Sequence, residues 1–223
     1  MNTVLNARIY VSGGARERAL DSFGSQVRNL LEDLDAEPDI DLRKDDRIEV
    51  AIDGDDSEAA SSLLEEKYGR METDPEEDES YIGTLESWGP EGFTIDVGSD
   101  VQVQSSELEE LGKGNPSQIR ERYGLVQHVP LEVTYGETPK LSDVQVDSLW
   151  GWRKGNGRLN VNSATRSEVR ATVNRAGHAD DIVTVERLGV LEQSVICREG
   201  TDPPGLLADV GGYIQGEMKC VVT

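Results

Sequence analysis

RLNVNSATRSEVRATVNRAG, residues 158–177, is the stretch that decides the fold. Arg158 to Asn162 is a short strand-like run. Thr165 then stands three residues before Glu168, the spacing of a capping box, and Val169, Val173 and Ala176 recur on one helical face until Gly177. Downstream, Ile182 to Leu188 and Gln193 to Arg198 read as two strands joined around Gly189 and Val190. The run Thr201-Asp202-Pro203-Pro204 starts a helix, since Pro in the first turn gives up an N–H that has no partner there anyway. Leu207, Val210 and Ile214 supply its buried side, and Met218 to Val222 closes with a strand. The resulting order is β-α-β-β-α-β.

That order is the ferredoxin-like split unit, assigned to residues 139–223, with Leu141 to Trp152 as a short helix or bridge leading into it. At the other end, Val4 to Val11 alternates, with Leu5, Ala7, Ile9 and Val11 on one face and Asn6, Arg8 and Tyr10 on the other. This is the pattern of a half-buried strand. Leu20, Phe23, Val27, Leu30 and Leu34 follow at helical spacing. A second strand over Arg47 to Ile52 and a second helix near Ser57 to Tyr68 complete a small β-α-β-α unit, residues 1–70, of α/β type. Met71 to Ser80 carries six acids and a Pro in ten residues and reads as an acidic linker, 71–80. Residues 81–138 then change to short β runs separated by Gly and Pro. The fold class expected is therefore α+β: the β-α-β-α unit, a β-barrel-like middle segment and the ferredoxin-like unit.

Two resemblances add to this. Gly83-Thr84-Leu85, Gly92 to Gly98 and Gly124-Leu125-Val126 before His128 resemble the S1-like OB-fold, which implies an OB-like barrel with a helical insertion at Ser105 to Tyr123. Val185 to Glu192, with Thr201 to Gly205, resembles an uncharacterised archaeal protein family. That likeness implies no established activity, an acidic composition in haloarchaeal members, and genes close to that of a basal transcription factor.

The 223 residues carry 44 acids and 22 bases, and only six of the bases are Lys. A carboxylate-rich, Lys-poor surface stays hydrated in molar salt, where screening removes its self-repulsion. A halophilic protein is expected. No run approaches a membrane span, the N-terminus lacks a signal-peptide layout, and Cys197 and Cys220 make no disulfide framework. The expected location is the cytoplasm.

Charge is unevenly spread. Residues 1–80 hold 23 acids and nine bases, whereas residues 141–223 hold 11 and nine. Between Ser148 and Ala179 the bases Arg153, Lys154, Arg158, Arg166, Arg170 and Arg175 face the single acid Glu168, with Trp150 and Trp152 alongside. Guanidinium groups fork onto phosphates and indoles stack on bases. Trp150, Trp152, Arg153, Lys154, Arg158, Arg166 and Arg170 are therefore the candidate nucleic-acid surface. Ion pairing to the acidic N-terminal part, with the Trp pair filling a domain junction, is the competing account of the same residues.

Catalytic and metal chemistry find no constellation. His128 and His178 lack metal-ligand neighbours, no phosphate-binding Gly-Lys loop is present, and Ser12-Gly13-Gly14 is as well explained as a plain turn. Neither a cofactor nor a metal is expected. The expected function is an accessory protein of the archaeal transcription or translation machinery that contacts RNA or a ribonucleoprotein. The alternative is a protein-interaction or small-ligand regulatory module.

Overall fold

The computed structural model describes residues 1–222. β1 (Asn2–Arg8), α1 (Gly14–Leu30), β2 (Glu37–Leu42), β3 (Arg47–Asp53) and α2 (Ser57–Tyr68) form the first unit. Its sheet has the order β1-β3-β2, with antiparallel neighbours. The expected α/β arrangement is corrected here: the unit has a third strand, β2, and β3 lies between β1 and β2. The sequence EPDIDL hides this strand because it is an edge. It alternates only between exposed and half-buried residues, and an edge can carry acids and Pro38 without losing a ladder on its open side. Leu5, Phe23, Val27, Ile48, Val50, Ile52 and Leu64 make the core.

Residues 69–71 return beside β1. The Asn6 N–H donates to Gly69 O and the Met71 N–H to Val4 O, both at 2.9 Å. The acidic stretch 71–80 is thus fastened at intervals rather than a free linker. Glu72 N–H donates to Val97 O (2.6 Å) and Asp78 N–H to Tyr135 O (2.9 Å). Gly98, at φ 119°, is required here, since a Cβ would fall 2.5 Å from Glu72 O.

The middle unit contains β4 (Ser80–Gly89), β5 (Gly92–Asp96), β6 (Asp100–Gln104), β7 (Pro130–Thr134) and β8 (Lys140–Leu141). Ordered β6-β5-β4-β7-β8, the five strands curl into a half-barrel compatible with an OB-like fold. No ladder joins β6 to β8 among the described residues. A 3-10 turn at Glu107–Leu111 and α3 (Pro116–Arg122) fill the expected helical insertion, and Asn115 and Gln118 form a capping box at the start of α3. β8 and α4 (Asp143–Lys154) fall in the stretch assigned from sequence to the C-terminal unit. They belong with the middle one, because Leu141 pairs with Val133 and Leu149 is buried in the barrel core.

β9 (Arg158–Val161), α5 (Arg166–Arg175), β10 (Ile182–Arg187), β11 (Gln193–Cys197), α6 (Pro203–Val210) and β12 (Met218–Val221) make the last unit. The sheet order β10-β11-β9-β12, antiparallel throughout, is that of the split unit read from sequence. The Thr165/Glu168 capping box is formed on both sides. Among the described residues no helix is long and apolar enough to cross a membrane.

Candidate functional site: a cavity where three units meet

β1 buries both of its faces. The polar face that alternation assigns to solvent is turned toward the middle unit. Asn6 donates to the carbonyls of Asp96 (2.5 Å) and Ile82 (3.2 Å). Arg8 pairs with Asp96 and with Glu86 (3.1 Å). Arg47 reaches the same Asp96 carboxylate at 2.5 Å. One buried aspartate thus receives two guanidinium groups from the first unit, and this is a clamp rather than a reactive group.

The third unit enters through the hairpin between β10 and β11. Val190 and Leu191 at its tip are buried in the core of the first unit. Next to them Glu192, only 4% exposed, accepts from the Tyr10 hydroxyl at 2.5 Å. Tyr10 in turn accepts from Ser163 N–H (3.2 Å), and its ring lies 4.3 Å from that of His128. His128 faces Glu86 through Nδ1 (3.2 Å) and holds a left-handed backbone at φ 66°. Such a conformation costs a non-glycine residue of order 1 kcal/mol or more and tends to persist at functional sites.

These contacts enclose a cavity of about 170 Å³. Asn6, Arg8, Tyr10, Gln26, Lys67 and Tyr68 line it from the first unit, Ile82, Thr84, His128 and Pro130 from the second, and Arg187 to Val190 with Glu192 from the third. Lys67 and Arg187 are the exposed members of this lining. Three buried atoms of this lining have no hydrogen-bond partner: Arg8 Nε, the Tyr68 hydroxyl and Gln26 Oε1.

Electrostatics follow from this burial. Desolvation pushes the Glu192 carboxyl up to about 7, against the opposing pull of the Tyr10 hydrogen bond, the His128 charge and the Leu191 N–H. The Tyr10 phenol is raised by burial and by Glu192. Burial pushes Tyr68 to about 12, while Arg187 pulls it back. For Glu86 burial also works upward, but hydrogen bonds from His128 and Thr84 and the charges of His128 and Arg8 prevail and leave it below the usual carboxylate range.

The Arg/Trp cluster is divided rather than gathered. Trp150 donates to Glu110 O (3.2 Å), meets Tyr123 edge-on and packs on the barrel core. Trp152 lies under the Arg158 guanidinium, 4.8 Å from ring centre to Cζ. Arg158 itself is half-buried, donates to Ser194 Oγ (3.3 Å) and lies 4.0 Å from Glu186. Arg153 has a buried Nε without a partner. Arg166 folds back to donate to Val185 O (2.5 Å). Lys154 and Arg170 are exposed. The ion pair to the N-terminal unit beside them has the opposite polarity, Arg18 of α1 with Glu168 at 2.6 Å, and among the described residues the cluster's own bases make no pair with an acid of that unit. Neither β5 nor β6 carries an Arg, a Lys or an exposed aromatic.

Sequence reasoning missed Tyr10, Gln26, Lys67, Tyr68, Arg187 and Glu192 as site residues. Only Tyr10 left a signal, as a large side chain on the polar face of a strand whose partner was not visible.

Three family models match the chain in succession: the DUF2110 N-terminal domain at residues 2–74, the DUF2110 central domain at 75–153 and the DUF2110 C-terminal domain at 156–222. Among curated proteins none matches it.

Proposed function

We propose that this chain, which belongs to the DUF2110 family, is a regulatory module that binds a small ligand in the cavity shared by its three units. The observation that carries this is the composition of one wall: all three units contribute to it, and it holds buried polar atoms that nothing in the chain satisfies. Buried polar groups are otherwise almost always paired. At about 170 Å³ the space is close to the ~150 Å³ that accommodates benzene and well below the ~300 Å³ and more of typical drug-sized sites. The ligand is a small metabolite, not a dinucleotide. Occupancy bridges the units, so it reports by tightening their junction.

The test is hydrogen exchange on the full chain with small-molecule fractions of a cell extract. A true ligand slows exchange in β1, in residues 126–130 and in the hairpin after β10 together, and at a hundredfold excess over its Kd adds about 2.7 kcal/mol to stability. If every fraction that stabilises the chain protects only one unit, the shared-site reading fails.

A second reading, contact with RNA or a transcription complex, is favoured by the exposed Lys154 and Arg170 and by the OB-compatible half-barrel. Crosslinking to RNA that is lost in Arg170→Glu supports it. Crosslinking no greater than that of a matched acidic control removes it.

A further inference from the structure

Arg8, Arg16, Arg18, Arg47, Arg120 and Lys219 are held by carboxylates. Among the described residues Arg187 and Lys67 have no carboxylate within 4.0 Å, and both stand at the exposed side of the same cavity. Just inside, the Tyr68 hydroxyl is buried and unpartnered. Arg187 is near enough to oppose the upward shift that burial imposes on it. A guanidinium, an ammonium and a free O–H around one opening are three donors awaiting an acceptor that carries negative charge.

The rest of the lining restricts what that charge is attached to. Ile82, Pro130, Leu188 and Val190 give the cavity apolar walls, and its size admits one ring. Gln26 Oε1, buried and unpartnered, is an acceptor only and calls for a donor on the ligand. Glu192, Glu86 and Asp96 lie in or behind the lining, and a dianion there meets repulsion that a monoanion largely escapes.

We infer that the cavity takes a ring-bearing monocarboxylate with a hydroxyl or amino substituent, its carboxylate held by Arg187, Lys67 and the Tyr68 hydroxyl and its substituent donating to Gln26. This rests on the reading of the cavity as a ligand site.

The experiment is calorimetric titration of the full chain with 4-hydroxybenzoate, phenol and phenyl phosphate across a KCl series, repeated on Tyr68→Phe and Arg187→Gln. Tyr68→Phe keeps the packed ring and removes only the hydroxyl. Arg187 is exposed, so both variants fold. The expected result is that 4-hydroxybenzoate binds at least about tenfold tighter than phenol, a difference of one charge-assisted contact or more. Each variant then weakens 4-hydroxybenzoate by about tenfold and leaves phenol unchanged.

Equal affinity for phenol and 4-hydroxybenzoate overturns the anion assignment while leaving a ligand site. Tighter binding of phenyl phosphate overturns the carboxylate. If no probe binds but an extract fraction still protects all three units, this inference fails and the shared-site reading stands. If neither occurs, both fail.

Discussion

The first and last units of the chain follow the same path and use it differently. Each runs strand, helix, strand, strand, helix, with the third strand inserted between the first and second. In the C-terminal unit β12 completes the sheet with four paired positions along β9. In the N-terminal unit the equivalent place beside β1 holds a single bridge, Leu5 to Arg70, because the chain leaves there for the barrel. The hairpins between second and third strands differ more. In the first unit the turn is Arg43-Lys44-Asp45-Asp46, charged and tied to Arg16 and Arg47. In the last it is Leu188 to Glu192, whose apolar tip is inserted into the first unit. Gly189 permits this approach. A Cβ there would collide with the Glu192 carboxylate and lie 3.0 Å from Pro130 Cγ. Shared topology provides two scaffolds, and the site arises where one hairpin departs from its counterpart.

That contrast is broken most strongly at the clamp. Asp96→Ala leaves Arg8 and Arg47 without their shared carboxylate, and removing one side of a buried pair costs about 3–5 kcal/mol. Denaturant unfolding should show a loss of that size. A loss under ~1 kcal/mol would place Asp96 among ordinary surface pairs. Next in size is Leu191→Ala, at about 2–5 kcal/mol for a buried leucine. Its signature is location: exchange should quicken in α1 and β3, within the other unit. Faster exchange confined to β10 and β11 would mean that the two units are independent.

How much of this was legible in the sequence follows the same division. The C-terminal unit could be read because its signals are local: Thr165 and Glu168 three apart, Pro203 in a first turn, Gly177 after a helix. β2 could not, because an edge strand with Pro38, Asp39 and Asp41 has no periodic apolar face to reveal it. The polar face of β1 was visible but its partner was not, since Asn6 and Arg8 look solvent-facing until Asp96 is placed opposite, 90 and 88 residues away. The Arg/Trp cluster runs the other way. Residues close in sequence were grouped, while the fold sends Trp150 to the barrel core and Arg166 to the β10 backbone. The cavity's residues come from six separated segments, and no spacing rule connects them.

Glu192 sharpens the contrast through pH. In the folded chain its carboxyl holds a proton up to about pH 7, whereas the unfolded chain releases it near 4.5. Between those values the native state binds more protons, so this group makes stability fall as pH rises, by about 3 kcal/mol in all, and the penalty persists above pH 7. Glu192→Gln keeps an acceptor for Tyr10 and removes the titration. The variant should match the parent below pH 4.5 and exceed it above pH 7 at fixed salt. Parallel stability curves for the two proteins would show that Glu192 is solvated.

The smallest effect expected is at the helix starts. α5 is capped by Thr165, whose hydroxyl accepts from Glu168 N–H, whereas neither α1 nor α2 has a side-chain cap. Thr165→Ala should cost about 1 kcal/mol, read as a lowered unfolding midpoint with faster exchange in the first turn of α5. Asp56 stands at the equivalent place before α2, but its carboxylate accepts from Asp35 N–H at 2.8 Å, across the sheet end. Asp56→Ala should therefore leave the first turn of α2 unchanged and quicken exchange at residues 34–36. Equal fraying of both helices in the two variants would mean that Asp56 caps α2 as Thr165 caps α5.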